Sequence, residues 1–393
     1  MQHMEMPWGV WYNETPLKIE FPDDWQVRDC PMVGGQDIGE DGIHRALKET
    51  IGALPLREFA KGKMSAAILI DDLSRPTPAF RLLPYILQEL ESAGLDLDQV
   101  KIICALAAHR PMTREDMIKK VGLDIVERMQ VLNHNAYENL EFIGYSSRGI
   151  PVWINRELSS CEVRIALGMI TPRGGMFGGG GKLLLPGACG QQTIMLNHRH
   201  IREGFREHIS EVARMAGVTY IVNPLLNEDL DIIGLVAGDV DAAFERGCEL
   251  GRQMYATEIP EEYDIGVFNA FPKDTELCQA GLAMTPLSGS HKKLLRDEGT
   301  IVMCSASPEG LGWHSVLGPG TALRGKPGRR TQRTILFSPG VNKWDSASLF
   351  GEDVLFCKTW SEVLAELAKY HGVGTKVAVF KAGALQRAAD ASY

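Results

Sequence analysis

The chain has 393 residues, of which 45% are hydrophobic and 23% charged, and a formal net charge of -9. That length and balance support two domains of ordinary size with ample core, while an acidic chain without a basic stripe argues against nucleic acid as a partner. No apolar run is long enough to span a membrane, and the opening stretch, with His3, Glu5 and Pro7, lacks the basic and apolar regions of a secretory signal.

In chain order, residues 10–21 read as two short strands around a turn at Asn13 and Glu14, and residues 43–56 as a helix and its exit. Three units built to one plan follow. Ala66–Ile70 is apolar and ends in the polar cluster from Asp71 to Pro78, ahead of a helical stretch over 79–93. Residues 100–107 are apolar and end in His109 and Arg110, ahead of a helix over Arg114–Val121. Residues 163–168 are apolar and end in Thr171, Pro172 and Arg173, ahead of a glycine run and Lys182. Short apolar runs bounded by turn signals and alternating with helical stretches predict α/β architecture. In open α/β sheets, ligands gather beyond the carboxyl ends of the strands. Three segments thus deliver charged or titratable groups to one expected place.

Residues 192–217 and 239–256 are helical in pattern, and 258–262 read as a boundary. A second α/β series follows, with strands at 265–270, 300–305, 334–337, 354–357 and Lys376–Phe380. Residues 279–282 and 287–296 lie between its first two strands, and 360–370 between its last two. The expectation is two α/β domains, residues 1–258 and a smaller 259–393, with a ligand in the cleft between them.

The glycine run before Lys182 is not a phosphate loop of the P-loop type. That motif needs glycine where Met176 stands and Ser or Thr where Leu183 stands. Gly178, Gly179, Gly180 and Gly181 nevertheless remove every side chain, so backbone N–H groups can approach an anion; a flexible loop is the plain alternative. His109, at a strand end, suits proton transfer with a hydroxyl. Asp71, Asp72 and Arg75 share one loop: the aspartates suit magnesium, a helix cap or an ion pair with Arg75, and Arg75 suits a carboxylate. His198, His200 and His208 do not chelate together, because helix residues two apart face different sides. His134 reads as a turn residue or a support behind the site, and His291, His314 and His371 as background. The eight cysteines stand singly with no C-x-x-C pair, as reduced core residues of a cytoplasmic protein. Arg324, Lys326, Arg329 and Arg330, interleaved with Gly and Pro, read as a solvated loop, with an anion-contacting loop as the alternative.

Taken together, Asp72-Leu-Ser-Arg75-Pro-Thr-Pro, Ala108-His109-Arg-Pro-Met-Thr, Asn133-His-Asn and the glycine run ending in Lys182-Leu-Leu-Leu-Pro-Gly resemble the nickel-dependent lactate racemase family. Cys278-Gln279-Ala280 resembles a further family segment, and the likeness runs in order over roughly residues 10 to 310. The resemblance implies a nickel-pincer nucleotide, a pyridinium-3-thioamide-5-thiocarboxylic acid mononucleotide that holds Ni through sulfur, carbon and sulfur. Lys182 matches the lysine that bonds covalently to it, and His198 the fourth nickel ligand. Asp72 and the glycines 178 to 181 fall at the cofactor, with the glycine run near its phosphate. His109 matches the acid/base that takes the hydroxyl proton of a 2-hydroxy acid as hydride passes to the cofactor. Arg75 and Gln279 match substrate-binding residues. The enzymes that build the cofactor are implied as partners.

Two positions depart from the family pattern. The second acid/base histidine is replaced by Arg173, which stays protonated and cannot serve as a base. The substrate-binding lysine is replaced by Leu282. Arg173 suits a second anionic group, so the expected activity is racemisation or epimerisation of a 2-hydroxy acid other than lactate, with His200 or Lys293 as candidates for the second face. A cofactor-binding homologue without racemase activity and a one-base hydride-transfer enzyme are the alternatives.

Overall fold

The computed structural model describes residues 1–13, 15–201, 203–316, 318–321 and 332–393. Glu14 of the expected turn and the basic cluster Arg324, Lys326, Arg329 and Arg330 lie outside the described residues.

The α/β expectation holds, and two six-stranded sheets carry it. The first runs in the order Ile232–Asp239, Tyr220–Leu226, Val163–Leu167, Ala66–Ile70, Val100–Cys104 and Gln130–Asn133. Its strands are parallel except for the edge pair Tyr220–Leu226 and Ile232–Asp239. Every residue of Ala66–Ile70 is buried, as a central parallel strand covered on both faces requires. The second sheet runs Leu355–Cys357, Arg333–Phe337, Leu295–Cys304, Tyr263–Asn269, Lys376–Phe380 and Gln26–Asp29, all parallel. The chain therefore reaches this sheet from both ends. Met6, Trp8, Ile19, Phe21 and Trp25 pack with Ile265, Val267 and Val377 on one of its faces.

Residues 10–21 contain one strand rather than two. Leu17–Phe21 pairs antiparallel with Gln2–Met6. The stretch between turns at Gly9, whose carbonyl accepts from the N–H groups of Tyr12 and Asn13. The buried Asp274 carboxylate accepts from the N–H groups of Gly9 and Val10 at 2.7 and 3.2 Å, which takes those groups out of any strand ladder. The helical block 192–217 divides into Gln191–His200 and Phe205–Met215. Gly204 at the break holds a φ of 64°, a conformation that glycine adopts without strain.

The loops beyond the carboxyl ends of the first sheet's central strands carry Asp71 to Pro78, Ala105 to Thr113 and Gly168 to Lys182. Those beyond Tyr263–Asn269 and Leu295–Cys304 carry Lys273 to Glu276 and Ser305 to Val316. The site is built from these loops.

Candidate active site

Asp72, Arg75, His109, Arg173, Gly178, Gly179, Lys182 and His198 line one pocket, together with His314. Gln279 does not line it; that residue is buried in the 3-10 helix Leu277–Leu287. Gly180 and Gly181 also stand outside the lining. The Gly180 N–H is donated to Asn223 Oδ1 at 2.7 Å, and Gly181 packs against Ile209 and Ala213. Two of the four glycines thus face the pocket, and the other two let the loop close onto the fold. At Gly180 the φ is +56°, and an added Cβ would meet the Arg206 guanidinium at 2.5 Å.

The loop from Asp71 to Arg75 is tied from beneath. The ammonium of the fully buried Lys120 lies 2.5 Å from Asp71 Oδ1 and donates to the carbonyls of Asp72 and Arg75 at 3.1 and 2.9 Å. The Thr77 hydroxyl donates to Asp71 Oδ2. Asp71 is therefore a structural anchor, and the choices left open for the two aspartates separate. Asp72 faces the pocket and accepts from the Ser74 N–H at 2.8 Å. Burial alone would raise its carboxyl, but His109 and Arg75 nearby hold it below the ordinary value.

His109 sits between two carboxylates. Its Nδ1 is 3.2 Å from Glu276 Oε1 and 3.8 Å from Asp72 Oδ2. A carboxylate oxygen only accepts, so Nδ1 donates and Nε2 is the ring's acceptor when neutral. Glu276 comes from the second sheet's loops, 167 residues away in sequence. The ring of His314 meets that of His109 at 5.0 Å between centroids.

On the facing wall, Thr171–Pro172 pairs with Phe177–Gly178 as a minute hairpin. Arg173 begins its turn, with the Arg173 N–H donated to the Met176 carbonyl at 2.7 Å. Burial, with Arg75 nearby, brings the Arg173 guanidinium down to about 9, which leaves it charged at neutral pH. The Lys182 ammonium lies 5.3 Å from the Phe205 ring centroid. Burial, with Arg173, Arg206 and Arg75 close by, pushes it well below its ordinary value, toward the nucleophilic free amine. His198 Nδ1 donates to the Ile194 carbonyl at 2.8 Å, which leaves Nε2 as the acceptor. Burial first, with Lys182 and Arg173 beside it, lowers its pKa and favours the neutral, metal-ligating form. Arg206 stacks on Phe244 and donates to the Gly179 carbonyl, while its buried Nη2 has no partner among the described residues.

Four residues of this arrangement were not singled out in the sequence: Lys120, Lys273, Glu276 and His314. Lys273 is fully buried behind the pocket and donates to Thr171 Oγ1 at 3.1 Å. The candidates for a second base fall elsewhere: His200 is exposed, and Lys293 is exposed and paired with Asp297 at 2.5 Å. His134 is buried and held by Asn155 and the Cys189 carbonyl, as a supporting residue. His208 is likewise buried, between Asn197 and Ser146.

The lactate racemase N-terminal domain matches residues 12–209. A lactate racemase of Lactiplantibacillus plantarum is 30% identical over 290 residues, spanning 70% of this chain and 67% of that protein. The chain belongs to the lactate racemase family. A second relative, a lactate racemase of Thermoanaerobacterium thermosaccharolyticum, is 28% identical over 334 residues, 79% of this chain and 76% of the relative. The structure of the lactate racemase apoprotein from the same organism superposes with a TM-score of 0.73 at 23% identity, covering 98% of this chain and 99% of that one. A Thermotoga maritima protein superposes at 0.67 with 16% identity, covering 90% and 99%; at these identities the two structures speak for the fold. Membership makes the protein an isomerase of the racemase type. Among the described residues no helix is long and apolar enough to cross a membrane, and no group of three or more His, Cys, Asp or Glu residues is arranged to hold a metal ion.

Proposed function

We propose that the protein racemises or epimerises a 2-hydroxy acid other than lactate, using a nickel-pincer nucleotide held on Lys182 and His198. One observation carries the reading: a nucleophilic lysine, a neutral histidine with its Nε2 as acceptor, an acid/base histidine and two arginines line one pocket. These residues fit the cofactor. The Lys182 amine is disposed to bond covalently to one arm, and His198 Nε2 to complete a metal site whose other donors the cofactor brings. Gly178 and Gly179 leave room for the nucleotide. Asp72 belongs to the same wall. When bound, the group supplies a hydride acceptor.

The chain's own residues supply the rest. Arg75 binds the substrate carboxylate, and His109 Nε2 takes the hydroxyl proton, its ring oriented by Glu276 and Asp72. Arg173 faces the same pocket with a charge at neutral pH and forked donors, which suit a second carboxylate or a phosphate. A larger, doubly anionic 2-hydroxy acid uses both arginines where lactate uses one. Gln279 contributes to specificity from behind the wall. In this reading residues 1–258 hold the cofactor, and residues 259–393 close over it with the opening strands. The protein works in the cytoplasm and depends on the enzymes that make the cofactor.

The test is to produce the protein alongside those enzymes, incubate it with a panel of 2-hydroxy acids in both configurations, and follow chirality. A dianionic acid should turn over at least tenfold faster than lactate, and Arg173→His should narrow that gap. Brisk racemisation of lactate by the unaltered protein would remove the substrate assignment. Loaded protein that inverts no member of the panel would leave a cofactor-holding role.

A further inference from the structure

His314 reaches the pocket from the second sheet's loops and is fastened there. The N–H of the next residue, Ser315, donates to the Ala108 carbonyl at 2.8 Å, directly before His109. The Ser315 hydroxyl donates to Gln191 Oε1 at 3.3 Å. The two imidazoles consequently meet edge to face, with 62° between the ring planes.

Their hydrogen bonds give them opposite roles. The Val316 N–H points at His314 Nδ1 at 3.2 Å. A backbone N–H only donates, so Nδ1 accepts, and a neutral ring then carries its proton on Nε2. His109 is arranged the other way round: Nδ1 donates to Glu276, and Nε2 accepts. Burial first, with His109, His198, Arg75 and Arg173 around it, lowers His314 to about 3, which agrees with the neutral ring that the Val316 contact indicates. A ring held in that form is a poor base but a serviceable hydrogen-bond donor, as the neutral histidine of triosephosphate isomerase illustrates.

A secondary alcohol on its way to a ketone needs both functions at one oxygen. We propose that His109 and His314 grip the same substrate oxygen, His109 Nε2 accepting the hydroxyl proton and His314 Nε2–H donating a hydrogen bond to the oxygen as it becomes a carbonyl. This rests on the reading that a 2-hydroxy acid is oxidised and re-reduced in this pocket. The O–H bond breaks and its proton goes to His109. The Cα–H bond breaks with its hydrogen leaving as hydride, for which a bound nickel-pincer nucleotide would supply the acceptor. C–O becomes C=O, and reduction reverses both transfers. His314 exchanges no proton at any stage. The chain then works with one base, and inversion follows when the keto acid presents its other face between the two half-reactions. His314 occupies a role distinct from that of the histidine replaced by Arg173.

The experiment uses cofactor-loaded protein and the variants His314→Leu and His314→Gln. Three quantities are measured: turnover from each configuration of the best substrate, affinity for the corresponding 2-keto acid, and affinity for the same acid lacking the oxygen. His314→Leu should lower turnover roughly hundredfold from both configurations alike, in the range found for one donor at a developing oxyanion. It should weaken the keto acid roughly tenfold and leave the deoxy acid unchanged, while His314→Gln, which keeps a side-chain N–H, recovers most of both losses. Loss of turnover from one configuration alone would make His314 a second base and overturn the donor role. Equal weakening of keto and deoxy acids, or equal behaviour of the two variants, would overturn it as well. Wild-type protein that inverts no 2-hydroxy acid would strike at the proposed function instead, and the keto-to-deoxy affinity ratio would still report on the donor.

Discussion

Replacing Lys120 by methionine keeps the length of the side chain and deletes the ammonium under the loop that carries Asp72 and Arg75. In the native protein this ammonium is fully buried, 2.5 Å from Asp71 Oδ1, and donates to two loop carbonyls. Removing one partner of a buried pair costs about 3–5 kcal/mol, because the remaining charge is left in a poorly solvating interior. The Thr77 hydroxyl still serves Asp71 Oδ2, which offsets part of that. Two carbonyls that lose their donor act the other way, at about 1 kcal/mol or more each. The expected loss is about 4 kcal/mol, or a fall in Tm of about 8 °C at roughly 2 °C per kcal/mol for a chain of this size. Thermal unfolding followed by circular dichroism reads it. Pairing Lys120→Met with Asp71→Leu should recover at least about 1 kcal/mol relative to the sum of the single changes, since neither charge is then stranded. A single-variant loss below about 1 kcal/mol, or strict additivity, would show that the pair does not hold the loop.

Digested protein made with its cofactor should carry a nucleotide adduct on the peptide containing Lys182, and Lys182→Ala should abolish it in the intact mass; an adduct on another lysine would displace the assignment. His198→Ala should lose nickel by elemental analysis while the adduct mass is retained, and full nickel occupancy would exclude His198 as the ligand. His134 is depressed to about 4 by burial, below the 6.5 of a free imidazole. The unfolded chain therefore takes up this proton first, so the contribution is intact above about pH 6.5 and is lost as pH falls toward 4, by about 3 kcal/mol in all. His134→Asn should flatten that part of the stability profile measured by urea unfolding between pH 7 and 4, and an unchanged slope would remove His134 as a source of acid sensitivity.

Much of the site was legible because it is local. Ala66–Ile70 is apolar throughout, and 100–107 and 163–168 are apolar apart from the half-buried Lys101 and Arg164, so these strands announce themselves, and the polar residues at their carboxyl ends mark where a ligand can sit. That rule places Asp72, Arg75, His109, Arg173 and the glycine run before Lys182 at one rim, and the family resemblance adds what each is expected to do there. Three of the strands that escaped notice have a composition that serves another purpose. Gln26–Asp29 and Gln130–Asn133 are partly exposed edges with few apolar residues. Tyr220–Leu226 carries Asn223 and Pro224. Its parallel ladder with Val163–Leu167 stops at Val222, so the proline removes no bond there, and Asn223 is needed to take the Gly180 N–H.

Tertiary structure alone decided which distant groups complete the site. Sequence order assigns the polar loop ends to one rim, but it carries no term for what the second sheet lowers onto them. Glu276 and His314 are single residues in loops without periodicity, and they acquire a role only because both sheets present their carboxyl-end loops to one pocket. Gln279, which the motif favours, is turned into the 3-10 helix of the same segment, while its neighbour three residues earlier orients His109. Lys120 lies on a helix surface in the sequence pattern, yet it is buried because the loop above it leaves two carbonyls and a carboxylate needing a cation. Apolar periodicity records which face of an element is buried. Which polar groups are buried together is set by hydrogen bonds that must be satisfied across the whole fold, and those partners can be chosen only after the chain has closed.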